Sequence, residues 1–279
     1  MLISCLYIYK INFIKDENIL KVENGSIDLS SWDLQETINL DGQWEFYPNQ
    51  LINPEKEDFD KYRDIVQYIE VPGSWAPHFN DQAEGSGTYR LKIKLPKENV
   101  YGVKTRTIRL ANQVFRNGDE ILSTGKPAKN TKDFIADSKY KIGFGKSQDR
   151  EIELVILVSS YRYRTGGIIK PIEFGDAGEI LRKDRLDRSI DGFIISICIV
   201  LGLYFFLTFL NRGKEVYLAY FSGTSLFMAL YLSTMNDQLL NLLVKYEFVR
   251  RTKIQIFTMI MTTVCILRFT YHFLKEHLE

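Results

Sequence analysis

The last third of the chain contains three long runs of apolar residues. Gly192–Leu210 is nineteen residues without a charged side chain, and Val216–Met235 is a further twenty. Ile254–Phe273 follows after a polar connection. About twenty apolar residues in a helix match the roughly 30 Å hydrocarbon core of a bilayer, where a helix satisfies its own backbone groups. The pattern predicts membrane-spanning helices at about 192–210, 216–235 and 254–273.

The residues before these runs follow a two-residue alternation. In Thr88–Leu95 apolar residues alternate with basic ones, which is typical of a strand with one face on a core and one in water. Glu151–Ser160 is almost continuously apolar and also predicts a strand. Asn117 and Gly118 accept positive φ and predict the turn of a hairpin within Val114–Ser123. Further strands are predicted at Thr37–Tyr47, Ile65–Val71, Thr107–Ala111 and Ile168–Phe174.

Short strands separated by turn signals predict a β-sandwich or jelly roll. A βαβ rhythm is missing, which argues against a doubly wound nucleotide-binding sheet. We therefore expect a β-sandwich at residues 16–180, followed by an α-helical transmembrane bundle at residues 181–279 that is incomplete in this chain. Residues 1–15 are expected to be a truncated signal or anchor segment. A lipoprotein cleavage box at Leu2–Cys5 and a simple first strand are the alternatives.

Net charge and cysteine positions indicate which partners and covalent links this chain is expected to have. The net charge of +1 gives no indication of a nucleic-acid partner. Cys198 and Cys265 lie in predicted membrane helices and Cys5 lies near the start, so the sandwich is expected to fold without a disulfide. Four basic residues precede the first apolar run, where such residues usually contact lipid headgroups. They are Arg182, Lys183, Arg185 and Arg188.

Several segments together resemble known proteins. Leu40–Tyr47, Val71–Trp75, Gly87–Leu91 and the Asn117-Gly118 hairpin are similar in order and spacing to galactose-binding-like jelly rolls, including the front domain of family-two glycoside hydrolases. Ser160–Ile168 followed by the apolar runs resembles bacterial seven-transmembrane receptors with diverse intracellular signalling modules. The resemblance implies an extracytoplasmic sandwich that senses a ligand, then seven helices and a cytoplasmic output domain. Only the first three helices would be present here.

Two signals disagree about which side of the membrane holds the sandwich. The resemblance places it outside the cytoplasm, in a multi-pass protein of the bacterial cell membrane. Basic residues in short loops favour the cytoplasmic side. Two of them, Arg212 and Lys214, lie in the loop that would be inside, and four lie in the loop that would be outside. Charge alone therefore mildly favours the reverse orientation, and we prefer the extracytoplasmic one.

The best candidate ligand site is the loop after the strand Glu151–Ser160. Aromatic faces suit sugar rings, arginine grips carboxylate or hydroxyl groups bidentately, and glycine allows close backbone approach. A plain turn with solvated charges is the alternative for the loop, and a core position is the alternative for the tryptophan. The predicted ligand-binding residues are Tyr161, Arg162, Arg164, Gly166, Gly167 and Trp75. Trp44, in an alternating strand, is predicted to be core.

The sequence shows few features that are typical of a catalytic site. His78, His272 and His277 belong to no cluster with metal-ligand spacing. Gly143–Lys146 lacks the spacing of a phosphate-binding loop. We therefore predict no catalytic residue, metal or cofactor.

The sequence favours a fragment of a bacterial transmembrane signalling receptor. Its expected partners are a carbohydrate or other small-molecule ligand, the lipid bilayer, and a cytoplasmic signalling domain missing from this chain. A membrane-anchored carbohydrate-binding or adhesion module without signalling is the main alternative. A component of a transporter or cell-envelope enzyme assembly is a third hypothesis.

Overall fold

The computed structural model describes residues 20–79, 83–137, 139–147, 149–161, 163–235, 240 and 247–278. These residues fall into two compact units, which divide after Lys183. The segment predicted to be a signal or anchor, residues 1–15, lies outside the described residues.

The first unit is built of short strands. Within the described residues there are thirteen: β1 Ser26–Asp28, β2 Ile38–Asn39, β3 Gly42–Pro48, β4 Gln67–Val71, β5 Gly85–Lys94, β6 Val100–Thr105, β7 Ile108–Arg109, β8 Ala111–Arg116, β9 Asp119–Thr124, β10 Lys141–Lys146, β11 Glu151–Ser160, β12 Gly167–Ile168 and β13 Glu173–Asp176. Two short 3-10 helices, Phe59–Ile65 and Ala76–Phe79, join β3 to β5 around β4.

These strands form two principal sheets. The larger has the order β4-β3-β5-β11-β8-β9, with β1 pairing in parallel along β5. The smaller has the order β10-β6-β13-β2, and β7 pairs with β12 separately. Neighbours along both principal sheets are antiparallel, as in a sandwich. The predicted β-sandwich is confirmed.

The inner face of the larger sheet forms the core. Tyr89, Leu91 and Ile93 of β5 are buried at alternate positions, as the sequence pattern predicts. Trp44 is fully buried, and its Nε1 donates a hydrogen bond to the Leu40 carbonyl at 2.9 Å. Its predicted place in the core is confirmed.

The strand β11 is apolar on both faces because both are covered. Leu154, Ile156 and Val158 face the main core, whereas Val155 and Leu157 pack into a second cluster on the opposite face. That second cluster also contains Tyr47, Ile52, Phe59 and Phe115. Coverage on both sides explains why this strand shows a continuous apolar run in the sequence.

Some boundaries differ from the sequence prediction. The hairpin is confirmed: β8 and β9 pair around Asn117 and Gly118, which have φ of 48° and 92°. Ile168–Phe174 instead divides into β12 and β13, which pair with different partners. Lys141–Lys146, whose glycine-lysine string lies in strand β10, was not predicted as a strand. The Arg116 guanidinium covers Gly145, where a Cβ atom would lie 2.1 Å from Cζ.

The second unit, which begins at Asp184, is helical, and the first of its helices starts within the first unit. Among the described residues, three helices are long and apolar enough to span a membrane: α1 Ala177–Arg212, α2 Val216–Thr234 and α3 Phe248–Leu278. α1 and α3 each contain a predicted apolar run, and α2 ends one residue short of Met235, the last residue of the second run. The predicted membrane helices are therefore confirmed as helices of spanning length. The helix α1 has no break between its polar first turns and its apolar part.

Small residues lie where the helices approach each other. The Ser222 hydroxyl of α2 donates to the Gly202 carbonyl of α1 at 2.8 Å. A Cβ atom on Gly202 would lie 2.6 Å from Leu226, and one on Gly223 would lie 3.1 Å from Cys265 Sγ of α3. Glycine thus permits both the α1–α2 and the α2–α3 contact.

Candidate ligand site at one end of the sandwich

The predicted ligand loop lies at one end of the larger sheet. It begins after Ser160, the last residue of β11, which pairs with Gly85 at the start of β5. On the other side, Ser159 pairs with Ala111 at the start of β8. The loop ends at β12, which pairs with β7. Tyr161 and residues 163–166 therefore lie where four strand ends meet.

Tyr161 contacts a neighbouring loop through both its hydroxyl group and its aromatic ring. The hydroxyl donates to the Ala128 carbonyl at 3.3 Å, and the ring meets Phe134 edge-on at 5.2 Å between centroids. Burial raises the pKa of Tyr161 above its usual value, while a hydrogen bond with Ser86 partly offsets the effect. Tyr161 is therefore a neutral phenol at physiological pH.

A second loop, residues 126–135, is fixed beside Tyr161. Lys126 and Ile135 exchange backbone hydrogen bonds of 2.9 and 3.1 Å. The buried Ser159 hydroxyl donates to the Ala128 carbonyl at 2.9 Å and accepts from the Ala128 amide at 3.1 Å. This loop presents Ile135 to solvent with 60% of its surface exposed. The end of the sheet therefore offers both aromatic and aliphatic surface.

Arginine side chains lie at this end, including one that the sequence did not single out. The Arg109 guanidinium lies over the Tyr163 ring, 4.3 Å from its centroid. Arg164 is exposed, and Arg162 lies outside the described residues. Arg109 reaches the loop because β7 pairs with β12, with Arg109 opposite Gly167. A two-residue strand pair of this kind leaves almost no periodic signal in the sequence.

Trp75 lies beneath the same loop and is fully buried. Its Nε1 donates to the Ala83 carbonyl at 3.0 Å, and its backbone amide donates to the Gly166 carbonyl at 3.1 Å. Its ring stacks on Tyr89 at 6.5 Å between centroids. Trp75 thus ties the loop to the core.

Gly166 and Gly167 let the loop pass over that tryptophan. A Cβ atom on Gly166 would lie 2.1 Å from Trp75 Nε1. Gly167 has φ of +105°, which favours glycine. The structure therefore brings Trp75, Gly166 and Gly167 into one packing contact. Their role in ligand binding remains a prediction, as it does for Tyr161, Arg162 and Arg164.

A depression of about 430 Å³ lies on the outer face of the larger sheet. Residues 54–59 line it together with Arg90 and Glu153. Arg90 Nε donates to Glu153 at 2.7 Å, its Nη1 lies 3.2 Å from Glu45, and its guanidinium covers the Phe59 ring at 4.3 Å. Arg90 therefore already has two carboxylate partners and one aromatic partner, and we do not place the ligand site in this depression. No group of three or more metal-ligating side chains was found among the described residues.

A family model matches the helical segment of this chain. Residues 187–278 match the family model described as 7TM diverse intracellular signalling. The helices of this chain therefore match a membrane signalling family. The resemblance inferred from the sequence is confirmed over these residues, and the chain is a membrane protein. The search of curated proteins found no match.

The solved structures similar to about half of this chain include a family-two β-galacturonidase and a β-glucuronidase. A β-galacturonidase from Eisenbergiella tayi bound to galacturonate is 12% identical, with 52% of this chain and 25% of that chain covered and a TM-score of 0.37. A β-glucuronidase from Bacteroides uniformis is 17% identical, with coverages of 50% and 17% and a TM-score of 0.38. This chain spans a quarter or less of the length of both.

Proposed function

We propose that this chain is part of a bacterial transmembrane receptor whose sandwich lies outside the cytoplasm and binds a small polar ligand, foremost a carbohydrate. The observation that carries the proposal is the direct passage from β13, which ends at Asp176, into α1, which begins at Ala177. A strand of the sandwich thus continues without a linker into a helix of spanning length. The match of residues 187–278 to a membrane signalling family supports a receptor.

The chemistry at the end of the sandwich supports the choice of ligand class. Tyr161 and Tyr163 supply aromatic surface of the kind that packs on the apolar face of a sugar ring. Arg164, together with Arg162 and Arg109, supplies guanidinium groups that bind hydroxyls or a sugar carboxylate. Trp75, Gly166 and Gly167 support the loop from below. An acidic sugar would use both the aromatic and the basic groups.

Signalling would require that the ligand bind one conformation of the receptor more tightly than the other. A ligand shifts a conformational equilibrium only by its differential affinity for the two states. We infer that ligand binding favours one of two helix packings and that a cytoplasmic signalling domain reads the difference. In this proposal the chain itself is not an enzyme.

Ligand-dependent stabilisation tests the binding site. The purified chain in detergent is heated with D-galactose or D-glucuronate, and at least one sugar is expected to raise the unfolding temperature of the sandwich. A ligand at one hundred times its Kd stabilises by about 2.7 kcal/mol. Arg162→Ala/Arg164→Ala should abolish the shift. The control Lys61→Ala/Arg63→Ala removes two exposed charges from a 3-10 helix and should keep it. An equal shift in both double variants would exclude the loop from the site.

The side of the membrane on which the sandwich lies and the signalling step need separate experiments. Protease added to intact cells should cleave the sandwich, and complete protection would contradict an extracytoplasmic position. A sugar that stabilises the sandwich without changing amide exchange in the helices would favour the anchored binding or adhesion module instead.

A further inference from the structure

The first two turns of α1 are fixed to the sandwich by a buried carboxylate. Glu173 of β13 is 5% exposed. Arg106 Nε donates to its Oε1 at 2.7 Å, and Lys183 Nζ lies 3.2 Å from its Oε2. Lys183 also donates to the Thr37 hydroxyl at 2.9 Å. We call Glu173, Arg106, Lys183 and the neighbouring buried Lys104 the Glu173 cluster.

The electrostatics of the cluster favour the ionised carboxylate. Burial by itself would raise the pKa of Glu173, but attraction to Arg106, Lys183 and Lys104 outweighs it and lowers the pKa below its usual value. The carboxylate is therefore charged at neutral pH. A buried charge is tolerated only while its partners remain in place, so the position of Lys183 is coupled to that of β13.

Two further contacts lie on the same face of α1. The Asp176 carboxylate caps the helix by accepting from the Gly178 amide at 2.8 Å, and its other oxygen accepts from Asn99 at 2.7 Å. Ile180 is fully buried. Asp176, Ile180 and Lys183 are spaced four and three residues apart, which aligns them along one side of a helix.

A pair of glycines forms the seat for Ile180. Gly102 of β6 lies directly opposite Gly175 of β13. A Cβ atom would lie 3.2 Å from Ile180 if added to Gly102 and 3.4 Å if added to Gly175. The bare backbone of two neighbouring strands therefore provides a shallow groove for one helix side chain. The Asp176 cap, the Ile180 seat and the Lys183–Glu173 ion pair therefore fix the start of α1 at three successive positions.

The same strands lead to the candidate ligand loop. Arg106 of the cluster is three residues from Arg109, which lies on Tyr163. Glu173 follows β12, the strand that ends the loop, after four intervening residues. Three to five extended residues span at most about 10–18 Å. Both connections between the loop and the cluster are therefore short.

We propose that the Glu173 cluster and the Ile180 seat are the coupling element of the receptor, through which a change in the 161–166 loop alters the docking of the first turns of α1. This inference rests on the proposed function. Since α1 is continuous from Ala177 to Arg212, a change in how its first turns dock acts on a helix that carries a membrane span.

Hydrogen exchange of the full chain in lipid nanodiscs tests the anchor. Lys183→Met removes the charge but keeps an apolar stem, and amide exchange at residues 177–183 should rise about tenfold. Arg182→Met is the matched control, because Arg182 is exposed and pairs with Glu179 on its own helix at 2.6 Å. Exchange in β11 should be unchanged in both variants. Equal exchange at residues 177–183 in the two variants would overturn the anchor.

A second variant tests coupling without any ligand. Tyr163→Ala removes the ring beneath Arg109 and should alter exchange at residues 177–183 severalfold in the wild-type background. The change should be much smaller in Lys183→Met, where the anchor is already released. Faster exchange in the loop alone, with wild-type rates at residues 177–183, would overturn the coupling. Failure of every sugar to bind would refute the proposed ligand and leave these exchange results standing.

Discussion

The sandwich and the helices satisfy their buried polar groups in different ways. In the sandwich, ion pairs join segments far apart in sequence: Arg90 binds Glu153 and Glu45, and Glu173 binds Arg106. In the helices, several threonine hydroxyls bond to the backbone of their own helix, whereas the Ser222 hydroxyl bonds to the Gly202 carbonyl of another helix. Thr258 donates to Ile254 at 2.9 Å and Thr262 donates to Thr258 at 2.8 Å. The sandwich therefore depends on charges being placed by its fold, whereas the helices depend on close packing.

Because of this difference, the sandwich and the helices should respond differently to mutation and to pH. Removing one partner of a buried ion pair leaves an uncompensated charge, which is strongly destabilising. A hydroxyl that bonds to its own helix can be lost with little change, because the carbonyl keeps its backbone partner. Changes in charge should accordingly act on the sandwich, and changes in side-chain size should act on the helix contacts.

The largest effect is expected from the sandwich core. Trp44→Ala removes a fully buried ring and leaves the Leu40 carbonyl without its 2.9 Å hydrogen bond, which should lower the stability of the sandwich by about 3–5 kcal/mol. Exchange of the β11 amides measures this loss. The control is Leu207→Ala in α1, where the side chain is 58% exposed. A loss below about 1 kcal/mol would show that the core is less tightly packed than the structure indicates.

The strands that could be predicted are those whose pattern reflects their burial. β5 has one face in the core, so its sequence alternates, and β11 is covered on both faces, so its sequence is continuously apolar. The pattern does not predict β10, because it is an edge strand whose buried position is Gly143. The helices could be predicted because the bilayer imposes a length and an apolar composition on each of them.

The candidate site could be predicted only in part. The 161–166 loop has a recognisable composition, and the structure places it at the end of the sheet. Arg109 reaches it through the β7–β12 pairing, and Glu173 of β13 forms an ion pair with Lys183 of α1. The sequence predicts that the basic residues before the first apolar run contact lipid headgroups. In the structure, three of them form ion pairs with acidic residues of this chain: Arg182, Lys183 and Arg188. Such pairings depend on tertiary placement.

A smaller effect is expected when the pH is lowered. The folded-state pKa of Glu173 lies below its ordinary value of 4.5, so the cluster stabilises the fold above that value and loses this contribution as the pH falls below it. Thermal unfolding of the sandwich between pH 7 and pH 3 measures the loss, which should be less than that caused by Trp44→Ala. Glu173→Gln should be less stable at pH 7 and should lose less on acidification. An identical pH profile in the two proteins would show that other carboxylates account for acid sensitivity.

The smallest effect is expected at the α1–α2 contact. Ser222→Ala removes the hydroxyl that donates to the Gly202 carbonyl at 2.8 Å, but that carbonyl keeps its place in the α1 backbone ladder. The loss should be about 0.6 kcal/mol, the usual value for a hydrogen bond between membrane helices. Gly202→Val instead places atoms where Leu226 already lies within 2.6 Å of a Cβ position, so it should separate the helices. Unfolding in mixed micelles compares the two. If Ser222→Ala destabilised the bundle more than Gly202→Val, hydrogen bonding and not close packing would hold these helices together, and the contrast with the sandwich would fail.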